Sequence, residues 1–242
     1  MDKARTELLI GVIARLLEGC RTIAVGNSSP IPGAASLLTR AKSNGAARVL
    51  MLGSLQHNAF TDGARELFDC AGQGRIDAFF LSGGQIDGEG NINLVGAGDY
   101  PRSSPRWPGS FGSGLLYYVV PRVILFREEH SPRVFVDKVD FVSAAGTSAP
   151  GVHRTGGPYA LVTGLARFRF DRERRRFVLS EIHPEHGLDD IRDRTGFEFD
   201  CAQDLRATPE PDKETLALIR GRVFDELADA YPQFVEMLRG SE

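Results

Sequence analysis

Apolar positions along this chain recur with two periods. Leu8, Leu9, Val12, Ile13, Leu16 and Leu17 repeat at helical spacing, which predicts an amphipathic helix over 3–19 with one buried stripe. A short apolar strand follows at TIAVG (22–26), then the turn-forming NSSPIP and a second helix from Gly33 to Ser43. RVLMLG (48–53) reads as a strand, GARELFDCA (63–71) as a helix and DAFFLSGG (77–84) as another strand. Short apolar strands alternating with helices predict a largely parallel sheet, and such sheets bind ligands beyond the carboxyl ends of their strands. Segments 27–32, 53–62 and 83–100 belong to that edge.

Further along, VVPRVILFREE (119–129) and RVFVDKVDFVSAAG (133–146) are rich in β-branched residues. YALVTGLARFRFD (159–171) and RFVLSEIHP (176–184) flank the basic run 172–176 as an antiparallel hairpin with a solvated tip. GLDDIRDRTGF (187–197) reads as a short helix and 212–239 as a helical end. No repeat, low-complexity stretch or linker interrupts the chain. The expectation is one α/β domain over 1–242: an open, largely parallel sheet with helices on both faces, then a C-terminal hairpin and helices.

Charge narrows the classes. The formal net charge is −3, so no global field selects nucleic acid. Cys20, Cys70 and Cys201 form no CxxC pair, which argues against a disulfide framework or structural zinc and fits a reducing, cytoplasmic setting. Arg15 and Glu18 interrupt the first apolar helix, so it reads as neither a membrane span nor a signal peptide.

The chemistry concentrates in LSGGQIDGEGNINLVGAGDYP (81–101). Asp87, Glu89 and Asn91 alternate like the first ligands of a calcium loop. The sixth position then falls on Ile92, where glycine is needed, and the twelfth on Gly98, where a bidentate glutamate is needed. Gly88 and Gly90 lack the third glycine of a dinucleotide fingerprint, and neither a P-loop ending nor GxSxG occurs. His183 and His186 suggest a metal pair, but no third ligand is evident. What remains locally is a strand, a tight Asp-Gly turn and a return strand. A second glycine cluster, PGSFGSG (108–114), adds backbone able to approach a ligand closely.

Taken in order, four stretches resemble the β subunit of the class I coenzyme A transferases, glutaconate-type branch. They are SGGQIDGEGNIN (82–93), GDYPRSSPRWPGSFGSG (98–114), PRVFVDKVDFVSAAG (132–146) and GGPYALVTGLARFRFD (156–171) with RTGFEFD (194–200). The resemblance implies an open α/β fold, an α subunit of related fold (heterodimer or α2β2) and an acyl-CoA substrate. It implies no permanently bound cofactor, with coenzyme A entering as part of the substrate. It places oxyanion support on Gly112 and Ser113, a polar edge on Gln85 and Asp87, and the surrounding wall on Gly83, Gly84 and Asn91. Arg102 and Arg106 are candidates for CoA phosphates or a substrate carboxylate, because guanidinium forks suit both. Trp107 reads as packing.

One departure stands out. The family's β-subunit glutamate, which attacks the thioester and carries CoA covalently, aligns with Leu52, and leucine is no nucleophile. Glu66 lies within the next helix and reads as an exposed surface residue. The pattern resembles the family's hydrolase branch, which opens a CoA-linked steroid ring with a carboxylate from the α subunit. Hydrolysis of a thioester or a ring carbon–carbon bond is therefore the favoured expectation, with His57 as a candidate base. The alternatives are a true transferase with its carboxylate supplied elsewhere, and a non-catalytic scaffold or acyl-CoA-binding subunit.

Overall fold

The computed structural model describes residues 2–240. They gather into two compact units, one comprising the chain up to Phe80 and from Pro209 onward, the other Leu81–Thr208. The first unit begins α1 (Lys3–Leu16), β1 (Thr22–Val25), α2 (Pro30–Lys42), β2 (Arg48–Met51), α3 (Ala64–Gly72) and β3 (Ala78–Leu81). Its strands are parallel in the order β3-β1-β2. The connection through α2 steps from β1 to β2, and that through α3 steps back across β1. Right-handed crossovers therefore put α2 and α3 on opposite faces, as the alternating pattern predicts. α2 starts three residues before the predicted Gly33, because Pro30 and Pro32 sit in the first turn, where a missing N–H costs nothing.

The second unit continues with β4 (Gln85–Ile86), β5 (Ile92–Asn93), α4 (Ser113–Val119), β6 (Arg122–Arg127), β7 (Pro158–Thr163), β8 (Ala166–Asp171), β9 (Arg176–Ile182), α5 (Leu188–Asp193) and β10 (Asp200–Ala207). β6 and β7 are parallel, β7-β8-β9 form an antiparallel meander, and β10 lies parallel to β9. The basic run joins β8 to β9 as predicted, and Arg174 and Arg176 each lie 3.3 Å from the Asp200 carboxylate. Two features differ from the sequence reading. The polar β10 carries no apolar run to announce it. The β-branched stretch 133–146 forms no strand; it wraps the β4–β5 hairpin through isolated bridges, Ile86 to Phe135 and Ile92 to Ala144.

After β10 the first unit resumes with α6 (Lys213–Leu218), a wider turn at Ile219–Val223, α7 (Phe224–Leu227) and α8 (Pro232–Arg239). This return explains a third difference. α1 is buried on every side from Thr6 to Ala14, not along one stripe. α2 covers one flank, and Pro211 lies over Gly11, so close that an added Cβ would come within 3.0 Å of its ring. Glu7, only 2% exposed, is answered by Arg220, whose Nε and Nη2 each reach a carboxylate oxygen at 2.7 Å. That bidentate fork offsets the cost of burying the charge. No helix among the described residues is long and apolar enough to cross a membrane.

In the second unit His130 is buried against Phe135 (ring centroids 4.7 Å apart) and bonded to Thr163 Oγ1 at 2.8 Å and Thr195 Oγ1 at 2.9 Å. Burial, aided by Arg194, His186 and His183, lowers its pKa to about 4. The unfolded chain takes up this proton near the ordinary value of about 6.5, before the folded chain does. Stability is therefore full above that value and falls as the pH drops toward 4, by at most about 3 kcal/mol. Chemical denaturation at pH 7 and pH 5 should show the midpoint falling in the parent, and falling less in His130→Gln.

Candidate functional site

The glycine-rich zone folds as the predicted hairpin, Gln85 opposite Asn93 and Ile86 opposite Ile92. Asp87 closes its own turn: one carboxylate oxygen accepts the Glu89 N–H at 3.1 Å and the Asn91 N–H at 3.0 Å, and the other accepts Asn91 Nδ2 at 3.0 Å. This is the local bonding that suits aspartate to turns. Burial pushes the Asp87 carboxyl above the usual range, against the hydrogen bonds from Asn91, Val139 and Glu89. Asn91 Oδ1 accepts the Gly146 N–H at 3.1 Å.

Gln85 is equally committed. Its Nε2 donates to Asp140 Oδ2 at 2.8 Å, while its Oε1 accepts Asn93 Nδ2 at 2.8 Å and the Asp140 N–H at 3.0 Å. The same Asp140 oxygen also accepts the Gly98 N–H at 2.7 Å. Gln85, Asp87 and Asn91 are thus brought together, and their polar atoms hold the loop. Asn93 and Asp140, which the sequence reading did not single out, complete the network. The signal for them lay inside the quoted stretches, as the final residues of GNIN and of DKVD.

Gly83 is buried, and Gly84 lies directly under the indole of Trp107, whose ring leaves no room for an added Cβ. Gly112 adopts left-handed backbone (φ 67°) at the start of α4. Its N–H has no partner among the described residues. Ser113 differs, since its N–H donates to the Ser110 carbonyl at 2.8 Å and its hydroxyl bonds the same oxygen. Of the two residues read as oxyanion donors, Gly112 is the one with an uncommitted N–H. The buried Tyr117 hydroxyl donates to the Gly90 carbonyl at 2.8 Å, tying α4 to the hairpin turn. Arg102 and Arg106 are exposed, and Arg106 donates to the Pro101 carbonyl at 3.1 Å.

Leu52 and His57 belong to the first unit. Leu52 is half-buried in the turn that ends β2, with its N–H on the Val25 carbonyl at 3.0 Å. His57 Nε2 lies 3.2 Å from Glu226 Oε2 but off the line of a well-formed hydrogen bond. Glu226 also meets Arg40 at 3.2 Å and Arg222 at 2.7 Å. Glu66 accepts the Asp62 N–H at 2.7 Å and the Thr61 N–H, and these bonds, Asp62 first, hold its carboxyl below the usual range. It caps α3. His183 is a core residue, bonded through Nδ1 to Thr208 at 2.7 Å and through Nε2 to the Thr163 carbonyl at 3.1 Å.

The coenzyme A transferase family model matches residues 10–194, about three-quarters of the chain. The chain belongs to the coenzyme A transferase family. It is 30% identical over 153 residues to one component of the 3-oxoadipate CoA-transferase of Pseudomonas knackmussii, covering 61% of this chain and 58% of that one. Against the cholesterol ring-cleaving hydrolase IpdB subunit of Rhodococcus jostii it is 30% identical over 160 residues, 64% of this chain and 62% of that one. These alignments span less than two-thirds of the relatives' own length. The solved Rhodococcus jostii IpdAB superposes at a TM-score of 0.77 with 25% identity, over 90% of this chain and 93% of that one. A variant of the decarboxylase AibA/AibB superposes at 0.76 with 25% identity, over 90% of this chain and 95% of that one. The family member therefore has the open, largely parallel α/β fold that its sequence predicts.

Trp107 is the single tryptophan, so tryptophan emission reports on the surroundings of this one ring, Gly84 among them. Gly84→Ala should displace the indole toward solvent, shift the emission to longer wavelength and lower stability by about 1–3 kcal/mol, the usual cost of overpacking. An unchanged spectrum and melting temperature would mean the ring does not rest on this backbone.

Proposed function

We propose that this chain is the β subunit of a two-component acyl-CoA enzyme that hydrolyses its substrate without forming a covalent enzyme–CoA intermediate. The observation that carries the reading is Leu52. It follows β2 directly, where the family resemblance places a nucleophilic glutamate, and a hydrocarbon cannot attack a thioester. Similarity to a ring-cleaving hydrolase subunit favours water as the attacking group.

For a thioester, water adds to the carbonyl carbon, the carbonyl oxygen takes the negative charge, and collapse of the adduct releases the carboxylic acid and the CoA thiol. For a CoA-linked ring ketone, the same addition breaks a carbon–carbon bond, and the departing carbanion takes a proton. Either route needs an oxyanion donor and a base. The uncommitted N–H of Gly112 is the donor this chain offers. The base comes from the α subunit, in keeping with the family's hydrolase branch, with His57 the candidate on this chain. Arg102 and Arg106 suit the anionic ends of an acyl-CoA. Coenzyme A then enters only as part of the substrate, in a cytoplasmic heterodimer or α2β2 assembly.

The test is thiol release from an acyl-CoA panel by the chain purified with its partner. Release should proceed without an added acceptor acid, and borohydride should neither inactivate the enzyme nor leave an adduct on this chain. A borohydride-reduced carboxylate on this chain would establish covalent transfer and overturn the hydrolytic reading. Replacement of the Gly112 amide by an ester removes the N–H, keeps the left-handed backbone that proline could not adopt, and should lower turnover about 100-fold, the usual scale for an oxyanion donor. Intact assembly with unchanged turnover would instead favour a scaffold.

A further inference from the structure

The chain leaving α7 returns to the loops at the exits of β1 and β2. Asp229, in the turn before α8, receives three donors on one carboxylate oxygen: the Ser54 hydroxyl at 2.6 Å, the Leu55 N–H at 2.8 Å and the Gln56 N–H at 3.1 Å. Ser54 Oγ in turn accepts the His57 N–H at 2.8 Å. The His57 carbonyl accepts the Met51 N–H at 2.8 Å, so the loop closes back onto the end of β2. Two residues after Asp229, the Tyr231 hydroxyl accepts the Ser29 N–H at 3.2 Å and donates to the Gly26 carbonyl at 3.4 Å, at the exit of β1.

We propose that Asp229 and Tyr231 are positioning residues, which fix the two strand-exit loops so that the side chain at position 52 is held in one place. The inference rests on the reading that this edge carries the acyl-CoA site, and it adds the device that shapes it. Apart from satisfying the hydroxyl of the buried Ser54, core cohesion gives little reason for the clamp. Leu55 is 90% exposed and Gln56 is exposed, so the ordered loop adds little to the apolar interior. Its backbone, left to itself, would gain conformational entropy by moving. A carboxylate accepting several donors at once is the strong form of such an anchor. The Asp229 carboxyl lies below the usual range, chiefly through the Ser54 hydroxyl, so it stays ionised through neutral and mildly acidic pH.

A thiol placed at position 52 reads the loop directly and needs no substrate, so this test is independent of whether the complex hydrolyses acyl-CoA. Iodoacetamide labelling of Leu52→Cys, resolved by peptide mapping, is compared with the same variant carrying Asp229→Ala or Asp229→Asn. The buried Cys20, in the same unit, reports global opening. Asp229→Ala should raise the labelling rate of the introduced thiol about tenfold or more, the scale of a local opening, with Cys20 unchanged. Asp229→Asn, which keeps an acceptor oxygen, should fall between. An unchanged rate would overturn the proposal. So would a parallel rise at Cys20, because Asp229 would then support the fold and not the loop. Where Leu52→Cys fails to fold, amide exchange in Asp229→Ala alone decides. Faster exchange at Leu55 and Gln56 with β1 and β2 unchanged supports the clamp, and equal exchange overturns it. Tyr231→Phe should release the Ser29 amide in the same way.

Discussion

The side-chain amide of Gln85 is buried and must be satisfied from within the protein. A buried amide left unpaired costs about 1–3 kcal/mol, comparable to the net worth of several ordinary hydrogen bonds. Its partners are Asn93 across the hairpin and both the backbone and carboxylate of Asp140. Asp140 then holds the Gly98 N–H, where the chain turns toward the second glycine cluster. β4 and β5 are two residues long, too short for a ladder to hold by itself. The polar network, with the Asp87 turn at its tip, is therefore what gives this region one conformation. Trp107 can rest on the bare backbone of Gly84 only because that backbone is already fixed.

Elements differ in how openly the sequence discloses them. The parallel first unit is legible because each element announces itself by period: Val49 and Leu50 within a short apolar run, Leu8 to Leu17 at helical spacing. β10 escapes because an exposed edge strand is built from polar residues that resist further pairing, and those residues read as loop. The stretch 133–146 misleads in the opposite sense. Its β-branched residues fit a pleated surface, yet its partner is a two-residue hairpin strand, and only isolated bridges form.

The site shows a different kind of limit. Gln85, Asp87 and Asn91 are identifiable as residues that matter, but residue type does not say which way a polar atom faces. All three face inward and bind the loop. At these positions the family motif therefore includes residues whose polar atoms hold the loop itself together. Ser113 follows the same rule, committed to the Ser110 carbonyl, while Gly112 beside it is not. Local reading is weakest for the Leu52 loop. Ser54 and Asp229 stand 175 positions apart, and no periodicity or motif joins them.

These constraints bear on how the burden of the proposed hydrolysis is divided. A carboxylate after β2 would supply both charge and nucleophile, whereas leucine supplies only shape. The one imidazole in that loop, His57, faces Glu226, but that carboxylate already answers Arg40 and Arg222. An orienting carboxylate serves a general base best when it is dedicated to it, as in nucleophile–base–orienter arrangements. Glu226 is shared three ways and meets His57 off the line of a well-formed hydrogen bond, so it does not serve the imidazole as a dedicated orienter. In the proposed reaction this chain then contributes a fixed loop, an uncommitted backbone N–H and surface guanidinium groups. On the same proposal, the group that removes a proton from water falls to the partner subunit. On that proposal the chain keeps the fold of its family and gives up the covalent step.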